Sequence, residues 1–177
     1  MKKLLLAPLL GALAMFAWGF VYYGLSGIPY NALQPAQDVG PALDKLFPTS
    51  GTYVVPDPRT DDAELAKKLE KGPFATVHIR KGGMPAMDPV VMIKGFVLEW
   101  IACLLMVVVL GLTQIKGYAT RLTFIVLTGF LMAFFAHGGQ AVWWHQDWSW
   151  QVRTIIHDGG AWLFAGLILA CSPKATD

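Results

Sequence analysis

Residues 90–112 read VVMIKGFVLEWIACLLMVVVLGL, and this apolar run decides the fold. A helix rises about 1.5 Å per residue, so a run of this length is long enough to cross the roughly 30 Å hydrocarbon core of a bilayer. Two ionisable side chains, Lys94 and Glu99, lie in its first half, and its second half is apolar. The run therefore predicts a transmembrane helix whose polar groups are confined to one half.

The composition agrees with a membrane protein. Hydrophobic residues make up 55% of the 177 residues and charged residues 15%, whereas soluble domains carry more charge. The formal net charge is only +2, and the absence of a basic run with interleaved aromatic residues excludes a nucleic-acid-binding protein. The sequence also lacks a nucleophile elbow, a phosphate-binding glycine loop and a zinc-protease motif. It therefore favours a non-enzymatic protein while leaving enzymatic activity open.

Three further apolar runs accompany this one, so we predict an all-α membrane protein, a bundle of four transmembrane helices. The other spans are residues 1–25 (an uncleaved signal anchor), 119–141 and 150–171. The positive-inside rule places both termini in the cytoplasm of a bacterial inner membrane. Lysine and arginine are absent from the loop between the last two spans and collect at the opposite ends: Lys2, Lys3, Lys116, Arg121 and Lys174.

Residues 26–89 interrupt the apolar pattern and hold most of the prolines and charges. An acidic capping box opens a helix at Asp61, and Gly72-Pro73 ends it. Short runs rich in β-branched residues on either side predict two strands, residues 52–55 and 74–79. We therefore predict a small α+β extracytoplasmic domain, inserted between transmembrane helices 1 and 2 and facing the periplasm.

Polar residues recur at the outer ends of the spans. His137-Gly138-Gly139 and His157-Asp158-Gly159-Gly160 each place a histidine beside paired glycines, within ~10 Å of the outer surface by helical rise. Ionisable groups inside membrane spans are costly and mark a functional site or a buried pair. The small glycines allow a helix or a ligand to approach closely. We expect a ligand site in the outer bundle cavity, formed by Glu99, His137, Gln140, His145, Arg153, His157 and Asp158.

Three interpretations of this cluster remain open. The first is haem iron with His137 and His157 as axial ligands, in an electron-transfer subunit. The second is a pocket for a quinone or a lipid headgroup, with tryptophan walls. In the third the cluster is structural: Glu99 pairs with Arg153 or Lys94, and the histidines satisfy backbone carbonyls or loop groups. A through-pore is disfavoured, because the inner halves of the spans are almost purely apolar.

A methionine cluster before residue 90 offers a different metal site. Met84 and Met87 lie close together, with Met92 beyond them and His78 upstream. Thioethers with an imidazole are the soft ligands that suit cuprous copper outside the cytoplasm. Methionine also packs irregular junctions well, so the same residues have a structural explanation. Copper is the lesser cofactor candidate after haem.

Several short motifs follow one another in a recognisable order: GTYVVP at residues 51–56, Gly72-Pro73, GMPAMDP at residues 83–89, and Gly95-Phe96. In this order the chain resembles a family of small four-span bacterial membrane proteins with an extracytoplasmic domain. The resemblance covers the chain from the outer domain to the fourth span and implies an anchor, an outer domain and three further spans. It implies no activity, cofactor or partner. That family has tyrosine, tryptophan or asparagine around the outer loop, which argues against an essential role for His145.

The leading hypothesis is a non-enzymatic accessory or binding subunit of the inner membrane. It engages a partner protein or a lipid- or quinone-like ligand on the periplasmic side. The alternatives are a haem-binding redox subunit and periplasmic copper binding through Met84, Met87 and Met92. Other membrane proteins are the expected partners, and oligomers fit the same hypothesis.

Overall fold

A computed structural model describes residues 2–172 of the chain, with side chains from Leu6 onward. The chain forms two compact units: a helical unit, residues up to 34 and from 88 onward, and a small unit, residues 35–87. The predicted orientation signals at Lys2, Lys3 and Lys174 fall outside the described side chains. In chain order the elements are α1 (Lys2–Gly19), a π-helical segment (Phe20–Leu25), a 3-10 helix (Ile28–Ala32), α2 (Gly40–Leu46), β1 (Gly51–Val55), α3 (Asp62–Lys71), β2 (Ala75–Ile79), α4 (Pro89–Thr113), α5 (Tyr118–Trp143) and α6 (Trp148–Leu169).

The small unit contains α2, α3 and a two-stranded sheet. Strands β1 and β2 pair antiparallel, with Gly51 opposite Ile79 and Val55 opposite Ala75. The side chain of Asp61 accepts the backbone N–H of Ala63 and so caps the first turn of α3. The strands and the capped helix lie where the sequence pattern places them.

Acidic caps and short loops determine where the long helices of the helical unit begin. Asp88 accepts the backbone N–H of Val90 at 2.9 Å and opens α4, and Asp147 accepts that of Trp150 at 3.1 Å and opens α6. Gly117, at a φ of 82°, lets the chain turn between α4 and α5. The loop from α5 to α6 is equally short, so these two helices are antiparallel neighbours.

Helix α6 packs against α5 on one side and against α1 on the other, and α4 packs against α1. The contacts are close because glycines face aromatic side chains. A Cβ atom on Gly129 of α5 would overlap the Trp162 side chain of α6, and one on Gly160 of α6 would lie 2.8 Å from Trp18 of α1. Small residues of this kind let membrane helices approach each other closely.

Three helical segments within residues 2–172 are long and apolar enough to cross a membrane: Leu6–Leu25, Pro89–Thr113 and Tyr118–Trp143. These three segments confirm the prediction of a multi-pass membrane protein. The fourth predicted span is not confirmed, because α6 is absent from this set. Polar side chains lower its mean hydropathy, and its first half carries Gln151, Arg153, His157 and Asp158.

Because α5 and α6 are in close contact, we expect one added methyl group between them to lower the stability of the protein. Gly129→Ala should destabilise the protein by about 1–3 kcal/mol, because the methyl overlaps the buried Trp162 ring. Gly138→Ala on the same helix is the matched control, since a Cβ there meets nothing within 4 Å. Thermal unfolding in detergent measures both variants, and equal stability for the two would contradict the packing.

Candidate functional site

The centre of the candidate site is the carboxylate of Asp158, which lies between two imidazole rings. Its Oδ2 atom is 2.9 Å from Nε2 of His137, and its Oδ1 atom is 2.8 Å from Nδ1 of His157. The side chains are largely buried, with exposed fractions of 35% for Asp158, 22% for His137 and 16% for His157. The packing of α5 on α6 brings His137 to a carboxylate that lies next to His157 in sequence. The three predicted residues therefore form one hydrogen-bonded unit.

A chain of carboxamides connects this unit to the loop between α5 and α6. His137 Nδ1 lies 3.1 Å from Oε1 of Gln151, a residue that is only 2% exposed. Gln151 donates its amide to Gln146 at 2.5 Å, and Gln146 donates to Gln140 at 3.0 Å. Gln140, predicted as a rim residue, is thus linked to His137 through two glutamines that sequence reasoning missed.

Aromatic side chains from α1 and the π-helical segment surround His157. The ring centroids of Tyr22 and Tyr23 lie 5.5 and 4.8 Å from that of His157. Trp18 donates its indole N–H to the His157 carbonyl at 2.9 Å, and the Tyr22 hydroxyl donates to the Arg153 carbonyl at 2.9 Å. These contacts attach the end of α1 to the first half of α6.

The π-helical segment is what turns these tyrosines toward α6. Its last hydrogen bond runs from the Ser26 N–H to the Val21 carbonyl, five residues back, at 3.0 Å. A segment of this kind changes the angular spacing of side chains along the helix, and such segments occur frequently at functional sites. The composition of residues 20–25 gave no signal of it.

Two buried polar atoms at this site have no hydrogen-bond partner among the described residues. They are Oε2 of Glu99 and Nε2 of His157. Glu99 belongs to α4 and His157 to α6, two helices that contact each other. Buried polar side-chain atoms in proteins nearly always find a partner, so each exception requires an explanation.

Gly19 lies against the free edge of the His157 ring. A Cβ atom built on Gly19 would be 3.3 Å from His157 Nε2. The missing side chain of Gly19 therefore lets the chain pack directly against this buried nitrogen, at the point where α1 passes into the π-helical segment.

One predicted site residue, Arg153, forms its hydrogen bonds away from Asp158. The Arg153 guanidinium donates to the carbonyl and the hydroxyl of Ser149, one helical turn back, both at 3.0 Å. The predicted structural alternative, an ion pair of Glu99 with Arg153 or Lys94, is absent from the described side chains. His145 lies in the loop between α5 and α6, with a φ of 51°.

Most of the predicted metal-ligand residues already contact other protein groups. No group of three or more His, Cys, Asp or Glu side chains within residues 2–172 is arranged to hold a metal ion. Both ring nitrogens of His137 are hydrogen-bonded, whereas His157 keeps Nε2 free of a described partner. His78 Nδ1 lies 2.9 Å from the Thr52 hydroxyl, and Met84 sulfur lies 3.8 Å from Arg80. Haem and copper therefore remain predictions.

Two surface grooves of the helical unit adjoin the site. One, of ≈ 410 Å³, lies between α1 and α6 and shares Trp18 with the cluster; it is lined by Ala14, Ala17, Trp18, Val21 and Phe164. The other, of ≈ 430 Å³, reaches Gln140 at the end of the carboxamide chain. Its aromatic lining is Phe134, Phe135, Trp143, Trp144 and Trp148.

The small unit has a groove of its own, of ≈ 530 Å³, lined in part by Tyr53, Asp57 and Arg59. Arg59 donates to the Asp57 carboxylate from both its side chain and its backbone, and these bonds lower the pKa of Asp57 to about 2. The two charges neutralise each other at an exposed position. Such surface pairs contribute little to stability or binding.

The comparisons add no relative: no family model, no curated protein and no solved structure matches the chain. The family resemblance seen in the motifs therefore stays a prediction.

Because the Asp158 carboxylate bridges two imidazoles, we expect its isosteric replacement by asparagine to lower the stability of the protein. Asp158→Asn should destabilise the protein by about 1–3 kcal/mol, because one amide oxygen cannot accept from both imidazoles and its NH₂ faces the other ring. Asp147→Asn is the matched control on the same helix, since asparagine keeps the oxygen that caps α6. Denaturant unfolding followed by tryptophan fluorescence compares the two, and a loss for Asp158→Asn no larger than for the control would argue against the bridge.

Proposed function

We propose that this protein is a non-enzymatic binding subunit of a bacterial inner membrane, which holds a lipid- or quinone-like amphiphile in the outer half of its helical bundle. The observation that carries the proposal is the pair of buried, unpartnered atoms, Glu99 Oε2 and His157 Nε2. An unsatisfied polar group in a membrane interior costs several kcal/mol. A bound polar headgroup removes that cost.

The surroundings suit an amphiphile. The groove between α1 and α6 is almost wholly apolar and shares Trp18 with the cluster, so it accommodates a hydrocarbon tail whose head lies near His157. Ligand pockets of this size commonly combine an apolar lining with a few polar groups. The Asp158 carboxylate and the tyrosines hold the His157 ring in place.

Helix α6 is the fourth span in this proposal. It lies alongside α5 from end to end, since His137 lies 3.1 Å from Gln151 near one end and Arg121 donates to the Ser172 carbonyl at 2.6 Å near the other. Packing on α1 and α5 shields its polar half from lipid, which offsets its low hydropathy. Both termini then lie in the cytoplasm and residues 26–89 in the periplasm.

Reporter fusions test this topology. Alkaline phosphatase fused after residues 60 and 146 should be active, and green fluorescent protein fused after residues 116 and 177 should fluoresce. The first reporter needs the periplasm and the second the cytoplasm. An active phosphatase after residue 177 would show that α6 does not cross the membrane.

Mass spectrometry of protein purified gently from native membranes tests the ligand. We expect a copurifying amphiphile whose occupancy falls about tenfold or more in Glu99→Leu/His157→Phe, because both polar contacts are lost. The matched control, Glu64→Leu/His78→Phe, makes the same exchanges in the small unit and should keep the ligand. Equal lipid and quinone profiles for both variants would remove the proposal.

His157 also favours a second candidate, a haem-binding subunit. Metal-ligating histidines usually donate their second ring nitrogen to a carboxylate, and His157 Nδ1 lies 2.8 Å from Asp158. A reduced-minus-oxidised visible spectrum decides this candidate. A sharp band pair that disappears in His157→Phe would replace the amphiphile proposal, and a featureless spectrum would end the haem hypothesis.

A further inference from the structure

The small unit has helices and strands but no hydrophobic core. None of residues 35–87, all of which the structure describes, is buried. Its sheet has only two strands, β1 and β2, and a lone pair of strands is marginally stable in water. Sheets become independently stable when further strands join them. The small unit therefore has stability to gain from an added strand.

The groove of ≈ 530 Å³ in the small unit follows the free edge of β1. Its lining includes four consecutive residues of the strand, Thr52, Tyr53, Val54 and Val55. Successive side chains of a strand point to opposite faces of the sheet, so a groove on one face would touch only alternate residues. Strand β2 pairs with β1 along its whole length on the other side. The groove therefore lies along the edge that β2 leaves free.

Backbone groups along this edge are available for hydrogen bonding. In an antiparallel pair, every second residue of a strand directs its N–H and C=O groups away from the neighbouring strand. Apart from the ladder with β2, no backbone–backbone hydrogen bond within residues 2–172 involves residues 51–55. An edge of this kind is a template on which an added strand forms main-chain hydrogen bonds.

The sequence of β1 lacks the features that usually keep an exposed edge unpaired. Such edges commonly carry lysine, other charged residues or proline. Strand β1 reads Gly-Thr-Tyr-Val-Val, with no charge and no proline, and its last four residues are of types that strands favour. Arg59 and Asp57, at the end of the groove, are paired with each other at 2.7 Å. No net charge at the groove therefore repels an uncharged strand.

Strand β1 is also complementary to itself. A twofold axis perpendicular to a strand sets its copy antiparallel, with the same surface on both subunits. Complete overlap of two such five-residue strands puts Tyr53 opposite Tyr53 and Gly51 opposite Val55. Thr52 then lies opposite Val54. Aromatic and β-branched residues paired across strands stabilise an antiparallel sheet.

Insertion in a membrane favours a second copy as the partner. The helical unit has three segments able to cross a bilayer, and copies inserted in the same way present their small units on the same side. Confinement of this kind raises the effective concentration of one copy near another.

We propose that β1 pairs antiparallel with β1 of a second copy, so that two small units share one four-stranded sheet in the order β2-β1-β1-β2. The pairing is separate from the amphiphile site of the helical unit. Its failure would leave the proposed function unaffected.

Disulfide cross-linking between coexpressed, differently tagged full-length copies tests the pairing and its register. One copy carries Gly51→Cys and the other Val55→Cys, both with Cys171→Ser because Cys171 is exposed. A Cβ on Gly51 meets nothing within 4 Å, and Val55 is 37% exposed, so both positions accept cysteine. In the proposed register the two Cα atoms are about 5 Å apart, which a disulfide spans.

We expect oxidation in native membranes to link the mixed copies about tenfold more than either copy alone. In copies of one kind the two cysteines lie about 14 Å apart along the strands, beyond the reach of a disulfide. Ala75→Cys is the matched control for Val55→Cys, since Ala75 lies opposite Val55 on β2. It is about 10 Å from Gly51 of the second copy, at two strand spacings, and should not cross-link with it.

Four results of this experiment would overturn the inference. The first is no product between positions 51 and 55, and the second is an equal product with the control at position 75. The third is an equal product from Gly51→Cys alone, which would indicate a different register. The fourth is a dominant link to another protein, which would assign the edge of β1 to a strand of that partner.

Charges placed at Tyr53 test the same contact at equilibrium. Tyr53→Lys and Tyr53→Glu should each weaken self-association about tenfold, because like charges then face each other across the twofold axis. Mixing the two variants should restore association, which misfolded copies could not do. The measurement is Förster transfer between fluorescent proteins fused after residue 177, in phosphatidylethanolamine–phosphatidylglycerol vesicles.

Val77→Lys and Val77→Glu are the matched controls, because Val77 lies opposite Tyr53 on β2, away from the axis. They should associate as the unsubstituted protein does. Energy transfer no greater than random encounter for the unsubstituted protein would rule out the pairing. Association that the Tyr53 variants leave unchanged, or that their mixture does not restore, would show that the copies do not meet at β1.

Discussion

The carboxylate of Asp158, shared by two imidazoles, is the interaction on which the helical unit depends. A lone carboxylate inside an apolar bundle is costly, and each ring removes part of that cost by occupying one of its oxygens. Because His137 belongs to α5, the same bond determines the rotation of α5 relative to α6. Gln151 then fills the remaining position on the His137 ring. The polar side chains of α6 thus form its contact with α5.

The end of α1 completes the site by a different means. Glycine contacts bring its backbone close to α6, and the π-helical segment turns Tyr22 and Tyr23 toward the His157 ring. Trp18 and Tyr22 bond to carbonyls of α6 that already belong to its helical ladder, which is possible because each carbonyl has two lone pairs. The aromatic wall is therefore held by backbone contacts, and Gly19 packs against the imidazole edge of His157.

The sequence predicts some of these features and not others, for identifiable reasons. Long apolar runs place α4 and α5 within two residues of their observed ends, since hydropathy reports burial in lipid directly. Counting helical rise brings His137 and His157 to a common depth, which is enough to group them with Asp158. Gln151 was missed although it lies seven residues before Asp158, on the same helical face. The tyrosines could not be found, because their direction depends on the π-helical segment.

The carboxamide links between His137 and the loop have a further consequence. A carboxamide holds its neighbours in place and does not itself titrate at physiological pH, so the chain transmits orientation and not charge. Rotating the Gln146 amide by half a turn would exchange donor and acceptor there, and Gln151 would have to rotate as well. Its NH₂ would then face His137 Nδ1, which would have to accept a hydrogen bond there. A conformational change in the α5–α6 loop would therefore change the tautomer of His137 through these hydrogen bonds.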